Sequence, residues 1–333
     1  MGLTRFSNVL YIAGDAPSRV TEVIWDRLMR IGADGLAQPW AAESAVWEDQ
    51  TNMVVTLREG MTWHDGAPVT ADDVIFSFTA PAGDEAPMYK PFVSRIANME
   101  KLDDLTVRFT LSEPWAAFEA ASLSKLNLIP QHVWEPILVA LAGSEENAES
   151  VQEEIPIGSG PFKFVAWKPS EEIILEANPD HWAAPKVERL IIRIIPNVEA
   201  ALGQLGTGEL NFLMEWEGDP TVLQANAEGN DSIEIVSTTS LGFRFFAMNE
   251  RKAPFDDPAF RRALAYATPK ANIIKNIFKD FAVPADSHVS LAIDYWHNPD
   301  LPQYEFNLDQ ARQTLLDAGY SYSDDGTLLM PAE

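Results

Sequence analysis

His64 beside Asp65 is the pair in this chain that comes nearest to a proton-transfer or metal-binding dyad. General base catalysis would need a nucleophile within reach, and a metal would need further donors at compatible spacing. No second histidine or nucleophile stands at such a spacing, and neighbouring residues on a turn point apart, so a structural turn is expected here. Gly158-Ser159-Gly160 has the outline of a nucleophile elbow, but that motif places a glycine two positions before the serine, where Ile157 stands. A tight backbone crossing between domains fits these glycines better. His132, His181, His288 and His297 show no HxH or HxxxH pairing, so neither a protein-built metal site nor a cofactor is expected, although a metal chelated by its own ligand stays open. With no cysteine, disulfides, thiol catalysis, thiolate zinc and iron–sulfur clusters all drop out. Carboxylates are plentiful enough for a glycosidase pair, but no spacing supports one.

Composition narrows the partners. The chain of 333 residues carries 50 acidic against 24 basic side chains, a formal net charge of −26, which makes nucleic acid and anionic lipid poor partners. A hydrophobic fraction of 46% is enough to bury two or three compact units, so the acidity belongs to a soluble surface and not to a disordered polymer. No apolar run reaches the length of a membrane span, and Met1 to Val9 lacks the basic and apolar regions of a secretory signal.

The positioning elements follow from periodicity. Val20, Ile24, Leu28 and Ile31 predict a helix over 20–31. Met53, Val55 and Leu57 alternate with polar neighbours as in a half-covered strand, Asp65-Gly66 supplies a turn, and Thr70 with Asp73 caps a helix bearing Val74, Ile75 and Phe78. Leu105, Val107, Phe109 and Leu111 predict a strand over 104–111. Gly143 to Asn147 reads as a surface connection, with the chain returning to its first domain just after it. The run 190–195 reads as a strand covered on both faces, followed by a helix capped by Asn197 and a strand at 208–212, a parallel crossover. Asp257-Pro258 caps a helix with Phe260, Ala263, Leu264 and Ala267 on one side, Thr268-Pro269 repeats the device before Ile273, Ile274 and Ile277, and Asn307 or Asp309 caps a last helix over 308–318 that stops at Gly319.

The stretch from Leu57 to Phe78, LREGMTWHDGAPVTADDVIFSF, closely resembles the signature of the family 5 extracellular solute-binding proteins of ABC importers. Three further blocks resemble the same family in order and separation: Ile157 to Phe164 with Glu176 to Trp182; Gly242 to Asn249 with Ala253 to Ala267; and the last helix. Gly208 to Phe212 is similar too, with Asn211 where an acid is usual.

The resemblance implies an α/β, two-lobed periplasmic-binding-protein-like fold with mixed sheets, an extra domain inserted in the first lobe and an incomplete second lobe. Residues 1–44 and 157–240 would form the first-lobe core, 45–156 the insertion and 241–333 the partial second lobe. It implies a non-enzymatic, monomeric, extracytoplasmic receptor, periplasmic or lipid-anchored, that captures an oligopeptide in an interlobe cleft and delivers it to an ABC permease. An oligosaccharide receptor is the alternative within the family, a secreted glycan or peptide hydrolase the one outside it, and a fragment that folds without binding a third. By analogy three places face ligand: Ala13 to Arg19, with Pro17 and Ser18; Met88-Tyr89-Lys90 with Ser124 and Lys125; and Phe243, Arg244 and Phe245. Trp115 and Trp216 fit neither strand nor helix stripes, which makes them pocket candidates.

Overall fold

Alternating apolar residues decide the first sheet. Along β4 (Asn52–Leu57) Met53, Val55 and Leu57 are buried, and β6 (Thr106–Leu111) repeats the pattern with Val107, Phe109 and Leu111. With β3 (Ala42–Trp47) and β5 (Ile96–Lys101) they make an antiparallel sheet in the order β3-β4-β6-β5. The chain then reverses where the Gly66 N–H donates to Trp63 O at 2.9 Å, with Gly66 at φ +92°, a conformation that a side chain would strain. Helix α2 (Ala71–Thr79) starts at Thr70, whose N–H donates to the Asp73 carboxylate at 2.9 Å. The other Asp73 oxygen accepts the Gln131 N–H at 3.0 Å, at the first residue of α4 (Gln131–Leu141). One buried carboxylate therefore serves two helix starts, which is why it is tolerated inside. Phe78 of α2 closes on Phe109 edge to face, ring centroids 5.2 Å apart.

The computed structural model describes residues 15–82, 89–141, 155–214, 216 and 218–331, without the side chains of 15–18 and 82. Ala13, Met88 and the expected 143–147 connection lie outside the described residues. Contacts divide the chain into two compact units, Met1–Ile195 and Pro196–Glu333.

In the first unit, the helix expected over 20–31 is instead α1 (Asp15–Ile24), and Met29–Ile31 forms strand β1, paired antiparallel with β2 (Ala37–Pro39). The backbone between them has other partners: Ile24 O accepts from Gly160 N at 2.8 Å, Asp26 O from Leu128 N at 2.8 Å and Arg27 O from Ala41 N at 3.0 Å. Those long-range bonds replace the next helical turn. They also explain the glycines, because a Cβ on Gly158 would sit 1.9 Å from Ile24 O and one on Gly160 2.6 Å from Val23 O. The tight crossing is real, and it passes over the end of α1. A second sheet, β7 (Phe162–Lys168), β8 (Glu172–Ala177) and β9 (Arg189–Arg193), is antiparallel in that order. β9 is its edge, and Ile191 is exposed, so the expectation of a strand covered on both faces fails. The core of this unit joins both sheets and α1, with Trp25, Trp63, Trp134, Phe78, Phe109 and Phe118 its largest fully buried side chains.

The second unit contains α5 (Val198–Thr207), α6 (Pro220–Glu228), α7 (Pro258–Ala267), α8 (Lys270–Asn276), α9 (Leu308–Asp317) and the short hairpin β10 (Ser321–Tyr322) with β11 (Leu328–Leu329). Its caps follow the sequence. Asn197 accepts from Ala200 N at 2.8 Å, Asp257 from Ala259 N at 2.8 Å and Asn307 from Gln310 N at 2.9 Å. Thr268 departs from expectation: its hydroxyl donates to Leu264 O at 2.7 Å, closing α7, while Pro269 stands at the N-cap of α8 without a side-chain bond. Residues 208–212 form no strand, so the expected parallel crossover does not form there, and every strand pair among the described residues is antiparallel. A small core of Ala263, Ala311, Leu315 and Tyr320 joins α7 to α9. Among the described residues no helix is long and apolar enough to cross a membrane.

Candidate functional site

The residues singled out as chemically suggestive turn out to be structural. His64 and Asp65 do point apart. The His64 Nε2 lies 3.0 Å from Gly160 O and its Nδ1 accepts from Gly158 N at 3.3 Å, so the imidazole fastens the signature turn to the glycine crossing. Burial is the main cause that pulls its pKa down to about 4, helped by the nearby Lys163 charge and opposed by the Gly160 carbonyl. Asp65 turns outward, accepting from Ala67 N at 3.1 Å and lying 2.7 Å from His132 Nε2. Partial burial pushes its pKa up, but the His132 bond and charge and the Ala67 N–H outweigh that and hold it below the usual range. Ser159 donates to Asp26 Oδ2 at 3.0 Å, deep inside, with no nucleophile geometry.

The more promising arrangement forms around Arg27, which sequence reasoning missed. Leaving α1, the Arg27 backbone makes an isolated antiparallel bridge with Asn127. Its guanidinium then donates from Nε to Asn127 Oδ1 at 3.0 Å, from Nη1 to Ser124 O at 3.3 Å and from Nη2 to Glu22 Oε1 at 3.2 Å. Tyr89, just before the short helix α3 (Lys90–Val93), stands within the reach of the Arg27 charge. Burial raises the pKa of its phenol and Arg27 opposes the rise, so the group stays a neutral donor and acceptor. Ser122 bonds to Phe92 O, tying α3 to the π-helical turn Glu119–Leu123 that carries Ser124 and Lys125. Ser124 is spent on Glu119 O at 2.9 Å, whereas Lys125 is exposed. Arg27 thus holds the Ser124 carbonyl while its charge reaches Tyr89, which is far from it in sequence; Lys125 follows Ser124 in the chain. The missed signal was polar: Asn127 interrupts an otherwise apolar stretch from Leu126 to Pro130, and a buried amide there needs a partner.

Pro17 falls in α1 together with Ser18. Trp115 is half-buried against Phe118, centroids 6.1 Å apart, with Arg95 over its ring at 4.9 Å, the surroundings of a packing residue. In the second unit, the Phe243 and Phe245 rings lie tilted against each other, centroids 5.3 Å apart, and are 40% and 70% exposed, with Arg244 also exposed between them. Trp216 lines an open cavity of about 370 Å³ with Pro196, Val198 and Val222. Among the described residues no cluster of histidine and acidic side chains could hold a metal.

Comparison with known proteins places the chain in a family. Residues 37–332 match the family of bacterial extracellular solute-binding proteins, family 5 Middle. The oligopeptide-binding protein AppA of Bacillus subtilis (strain 168) is 29% identical over 96% of the chain, which spans 59% of that relative's length. Among solved structures, AppA from Bacillus subtilis with a nonapeptide superposes with a TM-score of 0.76 at 27% identity, over 98% of this chain and 64% of that one. NikZ from Campylobacter jejuni with Ni(L-His) gives 0.78 at 27%, over 98% and 63%. A mannohexaose-bound oligopeptide-binding protein from Thermotoga maritima gives 0.67 at 25%, over 93% and 59%. Peptide, metal chelate and sugar are thus held on one α/β architecture, so the fold alone does not choose the ligand. The chain belongs to the bacterial extracellular solute-binding proteins of family 5.

Proposed function

We propose that the chain is the ligand-capturing part of an extracytoplasmic receptor that takes short oligopeptides without transforming them and hands them to an ABC permease. The observation that carries the reading is the Arg27 cluster in a chain of this family: a neutral, half-buried phenol at Tyr89 within reach of the Arg27 charge, and an exposed ammonium at Lys125 next to Ser124, whose carbonyl Arg27 holds. An aromatic surface and a cation suit a peptide backbone and its terminal carboxylate. Phe243, Arg244 and Phe245 form a second aromatic and basic set of the same character. The proposal keeps 1–44 with 157–240 as first-lobe core, 45–156 as the insertion and 241–333 as part of the second lobe. It also keeps the receptor monomeric.

Titration of the full chain, read by intrinsic tryptophan fluorescence, tests the proposal against pools of three- to nine-residue peptides, manno-oligosaccharides and nickel–histidine chelate. Saturable binding of peptides recovered intact is the expected result, weakened about tenfold by Tyr89→Ala and by Lys125→Ala. Saturation by manno-oligosaccharides alone would replace the peptide with a sugar, a reading favoured by the mannohexaose-bound relative. Cleavage of the peptides would overturn capture altogether.

A further inference from the structure

The first unit carries a second ordered constellation that shares no side chain with the Arg27 cluster. The indoles of Trp40 and Trp182 meet edge to face, centroids 4.5 Å apart. Each bears a guanidinium on its face: Arg30 Cζ lies 3.8 Å from the Trp40 centroid and Arg58 Cζ 4.1 Å from that of Trp182. The four side chains form a ladder, arginine, indole, indole, arginine.

Its geometry is fixed from below. Trp40 Nε1 donates to Asp26 Oδ1 at 2.7 Å, and Trp40 O accepts from Arg58 Nε at 2.6 Å. Asp26 is fully buried and is held in turn by the Ser159 hydroxyl at 3.0 Å and by His181 Nε2 at 3.4 Å. The outer face is open, with Arg30 exposed and Trp182 39% exposed.

The ladder carries two stacked guanidiniums without a carboxylate partner among the described residues. Arg27, Arg95 and Arg108 each pair with a glutamate, yet neither Arg30 nor Arg58 has a carboxylate partner among the described residues. Scarcity is not the cause, since the chain has 50 acidic residues for 24 basic ones. Stacking on an indole leaves a guanidinium's N–H groups in plane for a carboxylate: Arg58 commits its Nε to Trp40 O and keeps its terminal amino groups, while Arg30 makes no such bond among the described residues. Arginine and tryptophan are also the residues enriched where protein interfaces concentrate their binding energy.

We propose that the Arg30–Trp40–Trp182–Arg58 ladder is a docking surface for an Asp/Glu-rich segment of a protein partner. Two forks separated by two rings call for more than one carboxylate, which a single small anion does not supply. The net charge of −26 opposes an extended anionic membrane, whereas a short acidic segment needs attraction only over a Debye length of about 8 Å at physiological salt.

Fluorescence anisotropy of a labelled hexaglutamate peptide with the full chain tests this, alongside phosphatidylglycerol vesicles and the neutral peptide pool of the capture assay. Hexaglutamate binding that weakens with salt, falls about tenfold in Arg30→Glu and is retained in Arg30→Lys to a greater degree is expected. Capture of neutral peptides should be unchanged in that variant, which separates this surface from the proposed ligand site. Equal hexaglutamate affinity in Arg30→Glu and the parent overturns the proposal, as does tighter binding to the vesicles than to the peptide. A lowered melting temperature in Arg30→Gln with unchanged hexaglutamate binding would reduce the ladder to a structural brace and also overturn it.

Discussion

The two compact units use the same local rules and reach different degrees of closure. In the first, four-stranded and three-stranded sheets, α1 and the glycine crossing share one core that buries three tryptophans completely. In the second, helices start at well-formed caps, but the core consists of two alanines, a leucine and a tyrosine, and Phe212, Phe243, Phe245 and Phe246 stay exposed. Caps and turns therefore specify where elements begin, whereas only long-range pairing over a large apolar area makes a unit stable.

Equal truncations in the two cores would break this comparison most directly. Leu57→Ala removes a fully buried side chain at the centre of the first unit and should cost about 4 kcal/mol, because closely packed neighbours cannot collapse into the space. Leu315→Ala, in the smaller core of the second unit, should cost about 2 kcal/mol. Hydrogen exchange read by region distinguishes the two. Protection should fall across β4 and β6 in the first variant and across α7 and α9 in the second. Equal costs would mean that the second core is as well packed as the first.

How legible each unit was in the sequence follows the same division. β4, β6 and α2 were readable because a period of two and a Thr70–Asp73 cap are local signals, and the Asp257 and Asn307 helices were readable for the same reason. The end of α1 was not. Val20, Ile24 and Leu28 do face the core, but Leu28 reaches it from a loop, since Gly160, Leu128 and Ala41 claim the carbonyls that a longer helix would use. The residues 190–195 misled because apolar composition does not reveal that β9 lies at a sheet edge. At the candidate site, Tyr89 and Lys125 were singled out only through family resemblance. Arg27 was hidden because its role depends on three segments meeting.

The glycine crossing offers a pH-dependent way to sharpen the contrast. His64 has its pKa lowered from about 6.5 to about 4 in the folded chain, so the fold favours the neutral ring and the unfolded chain binds the proton first. Its contribution is complete above about pH 6.5 and is lost as the pH falls toward 4, a swing of about 3 kcal/mol. Urea unfolding at pH 7 and pH 4.5 should show the first unit losing stability in acid, and His64→Gln should flatten that dependence. An unchanged slope in the variant would show that other buried groups, not His64, carry the acid response.

The smallest expected effects lie at the helix starts, where the units are most alike. Asp257→Ala and Asn307→Ala each delete one cap bond, to Ala259 N and to Gln310 N, and should each lower the stability of the second unit by about 1 kcal/mol. Asp73→Ala should cost more than either, because that carboxylate is buried and accepts the Thr70 N–H, the Thr70 hydroxyl and the Gln131 N–H, leaving three donors without it. Denaturant midpoints of the three variants check the order. If Asp73→Ala proved no worse than the other two caps, Gln131 would have found another acceptor, and the first unit's advantage would rest on apolar packing alone and owe nothing to its buried polar ties.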